Sequence, residues 1–162
     1  MKPFALLAGL AIVATALPAI AQNAGQIAQA RRGQNCAQCN LFQADFAGLE
    51  MRGGNFAGAR LRQSDLSLSV MNRVSFSGAD LRDVEAYGAV FSSANFAGAN
   101  LTNASLVGTY LDGANFAGAR LDGANFSGAE MKGARGLSQA QLNRACGDDS
   151  TRLPAGLRIP AC

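Results

Sequence analysis

The sequence has no histidine and no tryptophan, and only two tyrosines. Lack of histidine removes the commonest general base near neutral pH and the commonest transition-metal ligand. Charge of either sign is weak: the formal net charge is +3, too slight a bias to argue for a nucleic-acid partner. No apolar run reaches the ~20 residues that a helix needs to cross a bilayer. Cysteine is missing from the whole middle of the chain and occurs only as Cys36 and Cys39 near one end and Cys146 and Cys162 near the other. What the chain does have is alanine, and 19 glycines among its 162 residues. A conventional core fills space with large interdigitating side chains. Small residues in this proportion suit close stacking of backbone, as in a solenoid.

The N-terminus reads as an export signal. Lys2 supplies the positive start, Phe4 to Leu17 is an apolar run of 14 residues, and Ala19-Ile20-Ala21 fits the small-x-small cleavage rule. The mature chain is expected to begin at Gln22, and loss of Lys2 lowers the net charge to +2. The run is short for an uncleaved membrane anchor, so no integral span is expected after cleavage. No cysteine at the cleavage site offers a place for lipid, and Arg31-Arg32 follows the apolar run, unlike a twin-arginine signal. Four cysteines in an exported chain are an even number in an oxidising compartment.

The body of the chain has a period of five. From Leu41 through Phe46, Met51, Phe56 and Leu61 to Met131, nineteen positions in unbroken register carry a large apolar residue, except for Ala86. Two residues before each sits a mostly small residue, as at Ala44, Ala59, Ala79 and Ala99, and glycine often follows two residues after, as at Gly48, Gly58 and Gly98. Such a period fits neither a helix at 3.6 nor a strand at 2.0. It requires two of every five side chains to turn inward while a turn closes each unit, with glycine supplying backbone freedom there. A disordered segment has no reason to hold this register.

Stretches such as Ala114-Asn115-Phe116-Ala117-Gly118 and Ala124-Asn125-Phe126-Ser127-Gly128 resemble the pentapeptide repeat family, whose consensus is A-(D/N)-L-x-x. The resemblance spans roughly residues 39–135 and implies an all-β fold, a right-handed quadrilateral β-helix with four units per coil. Nineteen units then make about 4–5 coils. At ~4.8 Å per coil the rod is on the order of 23 Å long.

With four units per coil, residues 20 apart stack, and the outside can be read face by face. One face carries Arg60, Arg62, Arg82 and Arg120 among Asp80, Asp83 and Asp122; the next carries Asp45, Asp65 and Glu85 as an acidic ladder. Stacked like charges repel, so neighbouring arginines are expected to compensate them. A Ca²⁺ site on this ladder is a second reading, although calcium usually takes six or more oxygens from a folded loop. The third face presents Val70, Val90 and Tyr110, with Leu68, Tyr87 and Val107 on the adjoining one. This cluster is the candidate surface for an unknown protein partner or for self-association. The fourth face, with Asn55, Ser75, Asn95 and Asn115 beside Ala57, Ser77, Ala97 and Ala117, is expected to be flat and held by an asparagine ladder.

Solenoid ends need covering. Residues 22–38 form the N-terminal cap segment, with a short helix around Gln26 to Arg32. Cys36 and Cys39 fall on the inward phase of the repeat; a structural disulfide, a redox Cys-x-x-Cys pair and a reduced buried pair are the competing readings. Asn40 stands where haem attachment would need histidine. Residues 136–162 are expected to form a helix and a closed tail. Leu137-Ser138-Gln139-Ala140-Gln141-Leu142 has the pattern of a capping box with a hydrophobic staple, Gly147 is a stop, and Cys146 is expected to pair with Cys162. A Cys₄ zinc site would need the two ends together, and the rod separates them.

These features contain no nucleophile–base pair, no metal triad and no phosphate loop, so no catalytic, cofactor-binding or metal-binding residue is assigned and no cofactor is implied. Some members of the family mimic a DNA duplex and protect gyrase. That role asks for an acidic rod in the cytoplasm, against the weakly basic, exported chain read here. The expectation is a non-enzymatic scaffold or protein-binding module of the cell envelope, periplasmic or secreted.

Overall fold

A five-residue unit has five backbone N–H groups to satisfy, and the structure, a computed structural model, shows where each goes. Residues 22–162 are described; the predicted export signal, residues 1–21, lies outside the described residues. Around Leu61, the Arg60 N–H donates back to Cys39 C=O at 2.9 Å. The N–H groups of Leu61 and Gln63 donate onward to Asp80 and Arg82 at 2.8 and 3.0 Å, and Ser64 N–H closes the turn on Leu61 C=O at 3.0 Å. One N–H per unit remains. Where asparagine or aspartate begins the unit, its side chain closes that N–H: Asn95 Oδ1 accepts from Ala97 at 3.1 Å, Asn115 from Ala117 at 3.1 Å, and Asp65 from Ser67 at 2.8 Å. The Asn/Asp of the repeat is thus a backbone-satisfying residue.

The bridges between coils are all parallel and recur every 20 residues, in four columns: Asn40, Arg60, Asp80, Asn100, Arg120; Asp45, Asp65, Glu85, Ser105, Asn125; Val70, Val90, Tyr110, Glu130; and Asn55, Ser75, Asn95, Asn115, Arg135. These columns define the first to fourth faces. Glu50 heads the third, where pairing widens into two short strands, β1 (Glu50–Arg52) and β2 (Val70–Asn72). One bridge per unit and four columns per turn make a four-sided coil, as the resemblance implied. The ladder also runs past residue 135: Asn125 pairs with Cys146 and Glu130 with Arg152, an offset of 21 and then 22 residues in place of 20. The last stretch of chain therefore continues two faces of the rod.

Inside, the large residues behind the first and fourth faces stack on their own kind. Leu41, Leu61, Leu81, Leu101 and Leu121 are buried behind the first face. Phe56, Phe76, Phe96 and Phe116 stack behind the fourth, with successive ring centroids 5.5, 5.2 and 5.2 Å apart and the rings near parallel. Opposite them the small positions let backbone approach; Ser64 and Thr109, buried there, return their hydroxyls to Leu61 and Leu106 carbonyls at 2.6 and 2.7 Å. At Gly54, an added Cβ would lie 2.2 Å from Met51 Sδ. The methionine occupies the room the missing side chain leaves.

At the N-terminal end, α1 (Ala24–Arg31) lies over the first coil, with Ala30 fully buried and Gln26 Oε1 accepting from Asn40 N–H at 2.6 Å. Cys36 and Cys39 are buried and joined as a disulfide, with Cα atoms 5.1 Å apart. At the other end, α2 (Gln139–Leu142) has the predicted capping box between Ser138 and Gln141. Gln141 Nε2 also donates to the Phe116 and Ala119 carbonyls, both at 2.9 Å, and Leu142 is buried. The helix ends at Asn143, not at Gly147, which instead bridges Ala161 as the tail folds back. Cys146 and Cys162 form the second disulfide, with Cα atoms 4.8 Å apart.

Candidate functional site

The apolar residues singled out in the sequence meet along the edge where the second face turns into the third. Leu68, Tyr87 and Val107 sit on the turns, and Val70, Val90 and Tyr110 stack one coil above another through parallel bridges. Backbone bonds fix the spacing: Leu68 N–H to Tyr87 C=O at 2.8 Å, Val90 N–H to Ser69 C=O at 2.8 Å, and Tyr110 N–H to Ala89 C=O at 2.9 Å. Leu68, Tyr87 and Tyr110 are 62%, 57% and 55% exposed. The three valines are half-buried. Leu68 holds a left-handed φ of 58°, in the column filled by Gly88 and Gly108 in the next coils. A leucine there costs roughly 1–2 kcal/mol. Its Cδ2 would lie 3.0 Å from a Cβ at position 88, so it rests on the bare backbone of Gly88. An exposed leucine is thus kept in a place built for glycine.

Acids flank this corner. Asp65 and Glu85 lie on the second face beside it, and the third column begins at Glu50, passes through the valines and Tyr110, and reaches Glu130, with Arg152 beyond. Elsewhere the charges are used internally. Arg82 chelates Asp80 with bonds of 2.7 and 2.6 Å, and this contact holds the Asp80 carboxyl below the usual carboxylate range. Arg62 pairs with Asp83 at 3.2 Å, Arg120 with Asp122 at 3.7 Å, and Arg144 also with Asp122. In the acidic ladder, Asp45 pairs with Arg31 at 3.4 Å, and all three carboxylates accept a backbone N–H two residues on: Ala47, Ser67 and Tyr87. Arginine compensation therefore reaches Asp45; Asp65 and Glu85 have no ion pair among the described residues. Nor, among them, does any group of three or more His, Cys, Asp or Glu stand where it could hold a metal ion.

On the fourth face one rung of the expected ladder forms among the described residues, Asn115 Nδ2 donating to Asn95 Oδ1 at 3.1 Å. One feature escaped the sequence reading. Where the third face turns into the fourth, Arg52, Gly53, Asn72, Arg73, Ser92 and Ser93 line an open cleft of about 510 Å³. Writing residues 52, 72, 92 and 53, 73, 93 as stacked columns would have revealed two arginines with no acid in either column within one coil.

The family described as "Pentapeptide repeats (8 copies)" matches residues 33–67, 51–85, 69–111 and 104–146. Among solved structures, a pentapeptide repeat protein from the Arabidopsis thaliana thylakoid lumen is 28% identical, with a TM-score of 0.51 over 75% of this chain and 83% of that one. A pentapeptide repeat protein from Nostoc is 19% identical, with a TM-score of 0.41 over 86% and 92% of the two chains. A plasmid-mediated fluoroquinolone resistance protein is 21% identical, with a TM-score of 0.43 over 78% and 80%. No curated protein matches the chain.

Proposed function

Because this chain belongs to the pentapeptide repeat family, we propose that it is a non-enzymatic scaffold of the cell envelope. Its docking surface is the corner formed by Leu68, Val70, Tyr87, Val90, Val107 and Tyr110. The observation that carries this reading is the exposure of Leu68, Tyr87 and Tyr110 on one edge. A clustered apolar patch on an otherwise polar rod marks a contact surface, and aromatic anchors are the usual centre of one. The occupant is a second protein with an apolar centre and a basic rim, since Asp65, Glu85, Glu50 and Glu130 border the patch. A second copy of this chain would bring like charges together.

Export is supported by the predicted signal over residues 1–21 and by two disulfides, which persist in oxidising compartments. The thylakoid-lumen relative is itself a protein of a lumenal compartment. Among the described residues no helix is long and apolar enough to cross a membrane. A duplex mimic would need a strongly acidic rod, whereas the formal net charge here is +3 and Asp45, Asp80, Asp83 and Asp122 are each paired with arginine.

The test is site-specific photocrosslinking in cells, with a photoreactive phenylalanine analogue at position 87 and, as control, at position 97 on the flat face. Fractionation and N-terminal sequencing accompany it. The expected result is a heterologous adduct at 87 only, lost in V90D/Y110D, from a periplasmic or secreted protein beginning at Gln22. Equal adducts at both positions, or an adduct with a second copy, refutes the docking surface; recovery from the cytosol refutes export.

A further inference from the structure

We propose that the cleft lined by Arg52, Asn72, Arg73, Ser92 and Ser93 is a binding site for a phosphate group. It lies on the opposite edge of the third face from the apolar corner and is independent of the docking reading. Arg52 and Arg73 are exposed and belong to successive coils, ~4.8 Å apart along the rod. Arg31, Arg62, Arg82, Arg120 and Arg144 each have an acidic partner. Among the described residues, Arg52 and Arg73 have no ion pair and no side-chain hydrogen bond. The nearest acids in sequence and stacking, Glu50 and Asp112, do not reach them. Two unneutralised guanidiniums lining one cleft repel, and an anion between them relieves the repulsion.

The rest of the lining fits the same ligand. Ser92 and Ser93 put two hydroxyls beside the arginines. The backbone N–H of Ser92 is the one that asparagine or aspartate closes on other faces, as Asn95 does for Ala97. Val90 stands in that place here, and among the described residues the Ser92 N–H makes no hydrogen bond. In the Asn72 amide only Nδ2 can donate to an anion, and no hydrogen bond among the described residues uses it; Oδ1, an acceptor, is buried without a partner and takes no part in holding the ligand. Arg73 and Ser93 both hold a left-handed φ of 59° where Gly53 and Gly113 occupy the same column, as Gln63, Asp83 and Asn103 do at another edge of the rod.

These donors exceed what the two oxygens of one planar carboxylate can accept. A tetrahedral phosphate takes forked bonds from two arginines and still has oxygens for hydroxyl and backbone donors. The lining holds no aromatic ring on which a base could stack, so recognition is of the phosphate group. A soluble phosphate compound and a phospholipid headgroup share this chemistry, and the assay separates them.

The full chain is titrated calorimetrically with inorganic pyrophosphate at low salt, and sedimented with phosphatidylglycerol vesicles. Saturable one-site heat, weakened at least tenfold in R52A/R73A and unchanged in R120A, supports the site with a soluble ligand. Vesicle binding without pyrophosphate heat, lost in R52A/R73A, supports it with a headgroup ligand. R52K/R73K keeps the charge without the fork and should fall between. Circular dichroism checks that each variant is folded. Absence of both signals, persistence of either in R52A/R73A, or equal heat with acetate overturns the proposal.

Discussion

Ala86 is the one small residue among the nineteen central positions, and the packing around it makes a quantitative prediction. It is fully buried, in a coil whose other inward large residues are Leu81, Phe91 and Phe96. At the two positions of Ala86 and Phe91, the coil before carries Leu66 and Met71, and the coil after carries Leu106 and Leu111. The Phe91 ring lies 5.9 Å from Phe76 and 5.5 Å from Phe96, edge-on to both. A phenylalanine thus fills space that two aliphatic residues share in the neighbouring coils. Ala86→Leu should overpack and cost about 1–3 kcal/mol. Phe91→Leu should lose two ring contacts of about 0.5–1.5 kcal/mol each and cost on the order of 2 kcal/mol. The double variant recreates the pairing of the coil after and should cost less than about 1 kcal/mol, a coupling of about 2–4 kcal/mol. Urea unfolding followed by far-ultraviolet circular dichroism measures all four proteins, with an unchanged m-value as the check that the transitions are comparable. Costs that add to within about 0.5 kcal/mol refute compensation between these positions.

Asn95 accepts from both Ala97 N–H and Asn115 Nδ2, so Asn95→Ala should destabilise by about 1–2 kcal/mol. Asn95→Asp, which keeps an acceptor for Ala97, should recover part of this in the same urea assay. The Ser150 hydroxyl, followed by the Gly128 N–H, holds the Asp148 carboxyl down to about 2, from an ordinary 3.8. A depressed folded value contributes stability that is present above the unfolded value and lost as pH falls through the folded one. The thermal midpoint should therefore drop between about pH 4 and 2, and Asp148→Asn should flatten that dependence. Replacing Cys146 and Cys162 by serine opens a loop closed over a separation of 16 residues. About 3 kcal/mol of stability should be lost, readable as a lower urea midpoint.

Much of this architecture was legible because a fixed period leaves little choice of register. Once Leu41 to Met131 are set in phase, the two inward positions of each unit follow, and the four columns follow from the family's coil length. The capping box at Ser138 was legible for the same reason: it is local chemistry at fixed spacing. The course of the chain after Arg135 was not, because one and then two extra residues carry Cys146 and Arg152 back into the ladder. An insertion of that kind shows in bridges between coils, not in periodicity. The role of Ala86 was equally hidden, since it depends on a phenylalanine five residues away and on two more in contact with that ring. The exposed corner was visible as a list of residues; that Leu68 rests on Gly88 was not. The arginine cleft was missed because each arginine looks ordinary alone, and only the meeting of Arg52 and Arg73 in one cleft with no acid lining it sets the pair apart.

Departures from the repeat are where function can reside, because the consensus is accounted for by structure. The Asn or Asp of each unit closes a backbone N–H, the large residue fills the axis, and the glycine allows the left-handed turn. A substitution at the Asn/Asp position gives up that closure, so its persistence asks for another reason. On the first, second and fourth faces most units keep a residue that can serve, or place an arginine that enters the charge lattice. On the third face, among the described residues, no side chain makes this closure: its column runs Glu50, Val70, Val90, Tyr110, Glu130. Along one edge of this face lie the exposed apolar side chains, and along the other the two arginines without acids and the Ser92 N–H without its usual acceptor. Both proposals thus fall on the face whose units lack the side-chain closure of the backbone N–H. A rod that needed only to be a rod would gain by restoring asparagine at positions 70, 90 and 110. If V90N/Y110N proves more stable than the natural chain in urea while losing the adduct at position 87, the third face has exchanged stability for recognition. If it is less stable, these residues serve the rod, and the docking reading loses its main support.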